Sequence, residues 1–276
     1  MNQANPIQMT SGTRFLRTAL ALPLLLAVLM VSTPAFAGES VPPSPKTATT
    51  TDAPDHAKLL RKHLREKDGD AIRADLEQIA AAYAGIGQKA TRTRMLDAVG
   101  KAVRFRNEDI QSAALDTFEE MKDPAAWKHY RFLLTKPFKK SFPRLASQAM
   151  DVTRALTPDA AVQPLLKILK KSKNLRAAAK ALDTLGAFKE SRQRSKILGE
   201  IIAVTQKEKP GVRGRDNTVV YGPRHSGDEA RNRWQALAGP MVDAANELTG
   251  QELGSAEEWF NTWRTSKRNP STLFQG

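Results

Sequence analysis

From Asp55 onward the apolar residues of this chain recur three or four positions apart, which is the spacing of one face of an α-helix. The clearest stripes are Ile72, Leu76, Ile79 and Tyr83; Ile110, Ala114, Phe118 and Met121; Leu145, Ala149, Val152 and Leu156; and Leu175, Ala178, Leu182 and Leu185. Only the short run 218–221 has a preference for strand. The pattern predicts an all-α chain of about eleven helices.

These stripes also repeat as a unit. Residues 114–118 recur in similar form at 149–153 and at 181–185, in steps of 35 and 32 residues. Such a period matches one helical hairpin, and stacked hairpins bury the stripes that a single hairpin leaves exposed. We therefore expect an α-solenoid of stacked antiparallel helix pairs. A non-repetitive helical bundle is the alternative, because short matches rich in Ala and Leu also arise by chance.

Two segments carry a resemblance to a known family. The segment 174–182, followed by paired apolar residues at 197–198 and 201–202, resembles the HEAT-like repeats related to phycobilin lyases. The segment 247–263 resembles the closing part of exported bacterial HEAT-repeat proteins, although Leu253 stands where an aromatic residue is usual and Phe260 replaces one Trp of a common pair. The resemblance covers roughly residues 70–265 and implies a HEAT-like solenoid.

The N-terminal residues have the features of a secretory signal peptide. Arg14 and Arg17 precede an apolar run at 19–31, and the run leads to Ala35-Phe36-Ala37. The run has 13 residues, whereas a transmembrane helix needs about 20. We expect cleavage after Ala37 and a periplasmic or secreted mature protein; an uncleaved anchor is the alternative.

The rest of the chain divides by composition. Residues 38–54 contain four prolines and a run of threonines, which predicts a disordered Pro/Thr-rich linker. The solenoid is expected over 55–265, interrupted by a loop insert at 207–227 and closed by a cap at 250–265. Residues 266–276 are predicted to be a disordered tail.

Charge and cysteine content exclude several functional classes. The chain has 43 Lys and Arg against 29 Asp and Glu, and cleavage after Ala37 leaves a surplus of 12 positive charges. This surplus favours acidic partners. The chain has no Cys, which excludes a disulfide scaffold, a thiolate metal site and a cysteine nucleophile.

The insert is the first candidate site for a partner. It combines arginines, glycines and one tyrosine with no apolar periodicity, and arginine binds phosphate and carboxylate groups in a bidentate manner. The candidate partner-binding residues are Arg213, Arg215, Tyr221, Arg224 and His225, together with Lys139 and Lys140 from a second basic cluster. A solvated loop without a partner accounts for the same composition.

The C-terminal tryptophans are predicted to be structural. Gly250 suits the left-handed conformation that ends a helix. Trp259 and Trp263 lie four residues apart, on one helix face. With Leu248 they are expected to form a cap over the last repeat, and a ligand site is the alternative reading.

No set of residues with catalytic, cofactor-binding or metal-binding spacing is evident. His56 and His63 are seven apart, which is not a chelating spacing, and the sequence contains no nucleophile elbow, phosphate-binding loop or dinucleotide fingerprint. We therefore expect a non-catalytic exported scaffold that presents a basic curved surface to a protein or to an anionic envelope polymer. By family resemblance, the alternatives are a nucleic-acid-binding protein similar to HEAT-like DNA glycosylases and a bilin lyase.

Overall fold

The structure, a computed structural model, describes residues 55–210 and 228–274. The predicted signal peptide, the linker and residues 211–227 of the insert lie outside the described residues, as do the last two residues of the chain. For these segments the predictions made above stay predictions.

The described residues contain eleven α-helices, short 3₁₀ turns and no strand, so the all-α prediction is confirmed. The helices are α1 His56–Glu66, α2 Gly69–Tyr83, α3 Lys89–Ala102, α4 Glu108–Met121, α5 Trp127–Tyr130, α6 Arg144–Leu156, α7 Val162–Lys171, α8 Leu175–Gly186, α9 Arg194–Glu208, α10 Asp228–Thr249 and α11 Ala256–Ser266. A 3₁₀ turn, Arg131–Leu134, continues α5.

The apolar stripes read from the sequence form the core. They lie on α2, α4, α6 and α8, and all their residues are buried except Leu145 and Leu175, which are half-buried. The helices are only 12 to 15 residues long, so most of their stability must come from burial of these faces rather than from intrinsic helix propensity.

The helices contact one another in two series. In the first, which we call the even layer, α2, α4, α6, α8 and α10 each pack against the next. In the second, the odd layer, the same holds for α1, α3, the segment 127–134, α7 and α9. The layers meet where α1 packs on α2, α3 on α4, α7 on α8 and α9 on α10, and α11 packs against both α9 and α10.

Polar contacts join equivalent positions along the even layer. Asp116 of α4 accepts a hydrogen bond from Gln148 Nε2 of α6 at 2.6 Å. One helix further on, Asp151 of α6 pairs with Lys180 of α8. Asp116 and Asp151 occupy the same position in the repeated segment, so the contact recurs with the helices. Because these side chains keep part of their surface in solvent, the pairs contribute to register more than to stability.

Polar contacts between helices of the even layer extend to α10 through Arg154 of α6. Its Nη1 lies 3.4 Å from Asp183 Oδ1 of α8, and its Nη2 lies 2.9 Å from both carboxylate oxygens of Glu247 on α10. One guanidinium group therefore connects three successive helices of the even layer.

Two predicted boundaries were wrong. Helix α9 extends to Glu208, so residues 207 and 208 are helical rather than part of the loop insert. Residues 270–274 form a 3₁₀ turn in place of the predicted disordered tail, because Leu273 is buried and its carbonyl accepts a hydrogen bond from Gln251 Nε2 at 3.0 Å. Phe274 also packs against the core, and the guanidinium carbon of Arg194 lies 4.5 Å from the centroid of its ring.

The contact between α8 and α10 depends on Gly186. A Cβ atom there would lie 3.0 Å from the backbone Cα of Ala244 and 2.8 Å from Glu247 Oε2. We expect Gly186→Ala to lower the free energy of unfolding by about 1–3 kcal/mol, because the backbone of α10 must move away. Chemical denaturation measures this change.

The matched control is Gly69→Ala at the start of α2, where a Cβ atom would meet nothing within 4 Å. This substitution should leave the stability unchanged or raise it by about 0.4–1 kcal/mol, through the smaller entropy of the unfolded chain. Equal effects of the two variants would contradict the close approach of α10 to Gly186.

Candidate functional site

Charge is divided between the two layers. The helices and turn of the odd layer carry 16 Lys or Arg against 4 Asp or Glu, and those of the even layer carry 7 against 14. The contrast is largest between α7, which has three lysines and no acidic residue, and α4, which has five acidic residues and no basic one. Among the helices of the two layers, the basic surplus therefore lies on the odd layer and not on both.

A cleft opens in the odd layer between α1, the end of α3 and the segment 127–134. We call it the basic cleft; its volume is about 500 Å³. The residues that line it are Arg61, Asp97, Gly100, Lys101, Arg104 and His129. These six residues come from three separate parts of the chain. Asp97 is the only one that has a carboxylate side chain.

A second groove adjoins the basic cleft and shares Arg104 with it. Phe132 stands on this groove with 41% of its surface exposed, the only large apolar side chain of the described residues that is exposed. The guanidinium carbon of Arg104 lies 5.3 Å from the centroid of the Phe132 ring, which is a cation–π distance. The ring therefore holds Arg104 at the border of the two depressions.

His129 is fixed in the wall of the cleft by packing. Its ring stacks on Phe118 with centroids 5.8 Å apart and an angle of 17° between the planes. Gly100 also lies against it, and a Cβ atom there would be 2.3 Å from Nδ1. Burial and the neighbouring charge of Lys128 lower the pKa of His129.

Two nitrogen atoms of the cleft are buried and have no hydrogen-bond partner among the described residues. Arg61 donates from Nη2 to the carbonyl of Arg94 at 3.2 Å, but its Nε is buried without a partner. His129 Nε2 is also buried and lies 3.4 Å from Asp97 Oδ1 without forming a hydrogen bond. Lys101 and Arg104 form no ion pair within the described part of the chain.

Seven partner-binding residues were proposed from the sequence, and the structure describes two of them. Arg213, Arg215, Tyr221, Arg224 and His225 lie outside the described residues.

The remaining two, Lys139 and Lys140, are exposed on the loop before α6 and do not line the basic cleft. Their loop is hydrogen-bonded to the loop between α7 and α8. The carbonyl of Phe138 accepts from Ser172 Oγ at 2.7 Å, and that of Lys140 accepts from Asn174 Nδ2 at 3.2 Å.

The two helices that flank the insert are tied together by Arg233 of α10. Its Nε donates to Glu208 Oε1 of α9 at 2.9 Å, and its two Nη atoms donate to the carbonyls of Ser172 and Leu169 at 2.8 and 2.7 Å. Those carbonyls lie at the end of α7, so one side chain connects three helices next to the insert.

The residues predicted to form a cap lie together at the end of α10 and on α11. Gly250 has a φ of +75°, as expected for a residue that ends a helix. Leu248 is buried and Trp259 is completely buried. Trp263 is half-buried against α9, where a Cβ atom on Gly199 would lie 2.7 Å from its Cζ2.

Asn246 organises this turn and was not among the residues predicted from the sequence. Its Oδ1 accepts hydrogen bonds from Trp259 Nε1 at 2.9 Å and from the backbone N–H of Leu253 at 3.1 Å, while its Nδ2 donates to the Leu253 carbonyl at 3.1 Å. A single Asn in a helix gives no periodic signal, so only the contacts reveal its role.

No protein-family model matches the sequence, and no curated protein is significantly similar to it. Among the helices that the structure describes, none is both long and apolar enough to span a bilayer. Within residues 55–210 and 228–274, no group of three or more His, Asp or Glu side chains is placed to hold a metal ion.

We expect Asn246→Ala to lower the free energy of unfolding by about 1–3 kcal/mol, because it leaves the buried Trp259 N–H and two backbone groups of Leu253 without partners. Asn261→Ala is the matched control on α11; this Asn is exposed and its side chain contacts only Arg264, so the change should stay within about 0.5 kcal/mol. Urea denaturation of both variants measures the difference. Similar losses would argue against a special role for Asn246.

The lowered pKa of His129 predicts how stability depends on pH. The unfolded chain binds a proton at this residue near pH 6.5, whereas the folded chain binds it only at lower pH. The free energy of unfolding should therefore fall as the pH drops from about 6.5 towards the folded pKa, and His129→Gln should flatten this dependence. Parallel curves for the two proteins, measured by thermal denaturation across this range, would contradict the prediction.

Proposed function

We propose that residues 55–210 and 228–265 form a HEAT-like α-solenoid. The support is that each layer continues from one helix to the next, that α1–α2, α3–α4, α7–α8 and α9–α10 pack as pairs, and that polar contacts recur at equivalent positions of the even layer. In this proposal α11 closes the last pair. Its apolar residues Trp259 and Phe260 are buried there, as the end of a repeat stack requires.

The proposed function is a non-catalytic scaffold that is exported and binds an acidic protein or an anionic envelope polymer through its odd layer. The observation that carries this proposal is the separation of charge, with 16 basic against 4 acidic residues on the odd layer. Charges of one sign spread over a broad surface attract extended partners of the opposite sign and speed their association. Export rests on the signal-peptide pattern of residues 1–37.

Nucleic-acid binding is the second candidate. It is favoured by one feature of the odd layer, the exposed ring of Phe132 beside Arg104, because single-stranded nucleic acids bind to basic grooves that offer aromatic rings for stacking. An exported protein meets less nucleic acid than an intracellular one, which places this candidate after the first. Single-stranded DNA therefore serves as a comparison ligand in the experiment below.

The test replaces three exposed basic residues of the odd layer outside the basic cleft, with Arg65→Gln, Arg94→Gln and Lys167→Gln combined. We expect affinity for polyglutamate or dextran sulfate to fall at least tenfold, and the affinity of the unaltered protein to fall steeply with added salt. Fluorescence anisotropy with labelled polymer measures both effects.

The control is the triple variant Arg144→Gln, Arg176→Gln and Arg231→Gln, which removes the same charge from exposed positions of the even layer. It should bind almost as well as the unaltered protein. Equal losses in the two variants would show that net charge and not the odd layer determines binding. Tighter binding of single-stranded DNA than of either polymer would favour the second candidate.

A further inference from the structure

We propose that the basic cleft is a binding site for a tetrahedral oxyanion, a phosphate or sulfate group carried by the ligand of the odd layer. This inference rests on the proposed function and adds the chemical class that the odd layer recognises. The residues involved are Arg61, Lys101, Arg104 and His129. They approach from α1, from α3 and the residue just beyond it, and from α5.

The first support is the pair of buried nitrogens without acceptors. Arg61 Nε and His129 Nε2 are both shielded from solvent and make no hydrogen bond within the described residues. A buried donor without an acceptor is costly, and few remain in folded proteins without a reason. Both side chains line the cleft, so a ligand that enters it lies next to these two unsatisfied groups.

The second support is the balance of charge. Asp97 is the only carboxylate that lines the cleft, and Lys128 already lies 3.3 Å from it. Lys101 and Arg104 remain without a carboxylate in the described part of the chain, so the cleft keeps a positive surplus. Donors that converge from separate elements suit a group with oxygens in several directions, whereas a planar carboxylate uses only two.

The third support is that the walls of the site are held in place before any ligand binds. His129 packs against both Phe118 and Gly100, and Arg104 lies over the ring of Phe132. Arg61 is anchored to the carbonyl of Arg94. Donors that are already fixed lose little freedom on binding, which favours affinity for a small group.

Binding in this cleft should depend on pH through His129. The charged groups that face it are Arg61 of α1, Asp97 and Lys101 of α3, Arg104 after α3, and Lys128 beside it; Phe118 of α4 is uncharged. An oxyanion favours the protonated imidazole, so it should bind more tightly as the pH falls. Sulfate is the suitable probe because its own charge does not change between about pH 5 and pH 8, where histidine titrates.

The experiment follows sulfate binding to the mature protein by NMR, through the ring signals of His129, and by calorimetry. We expect saturable shifts of these signals, an upward shift of the His129 pKa with sulfate, and weaker binding of acetate than of sulfate or methyl phosphate. Arg104→Gln should weaken sulfate binding about tenfold. Arg144→Gln, which removes one charge from the even layer, is the control and should have little effect.

The outcomes separate this inference from the proposed function. If polyanions bind through the odd layer but sulfate leaves the His129 signals unchanged, the cleft is not an oxyanion site and the proposed function stands. If acetate binds as tightly as sulfate, the ligand group is a carboxylate and the proposed class is wrong. If neither polyanions nor sulfate bind, both proposals fail. Because the ring signals are read in the unaltered protein, the result does not depend on whether a variant folds.

Discussion

Every described helix of this protein depends on the burial of one apolar face against its neighbours. The helices α2, α4, α6 and α8 have only 12 to 15 residues, and helices of that length are barely stable alone in water. Ile72, Phe118, Val152 and Leu182 are all buried by contacts that cross from one helix to another. This burial accounts for the two layers. Each apolar stripe packs against a helix of its own layer and against a helix of the other layer.

The same close packing explains where glycine is required. Gly186 lets α10 approach α8, Gly199 accommodates Trp263, and Gly100 accommodates His129. Gly186 and Gly199 allow the close contacts of α8 with α10 and of α9 with α11. The third brings an ionisable ring into the wall of the basic cleft, where burial and Lys128 lower its pKa. The position of His129 in the cleft therefore depends on the absence of a side chain at Gly100.

The separation of charge follows from the same geometry. In a two-layer arrangement each series presents its own outward surface, so the two surfaces can carry different charges without bringing like charges into the core. The acidic even layer is joined internally by contacts such as those of Arg154 with Asp183 and Glu247. The partner proposed here would contact the odd layer and leave these contacts intact.

The sequence by itself determined the all-α class, the buried stripes and the helix end at Gly250, because each depends on residues within a few turns of one another. The tertiary structure alone decided the basic cleft, since Arg61, Lys101 and His129 belong to elements that only packing brings together. It also decided the docking of Leu273 and the role of Asn246. Local periodicity records which face of a helix is buried, whereas the choice of neighbour depends on contacts between residues far apart in the chain.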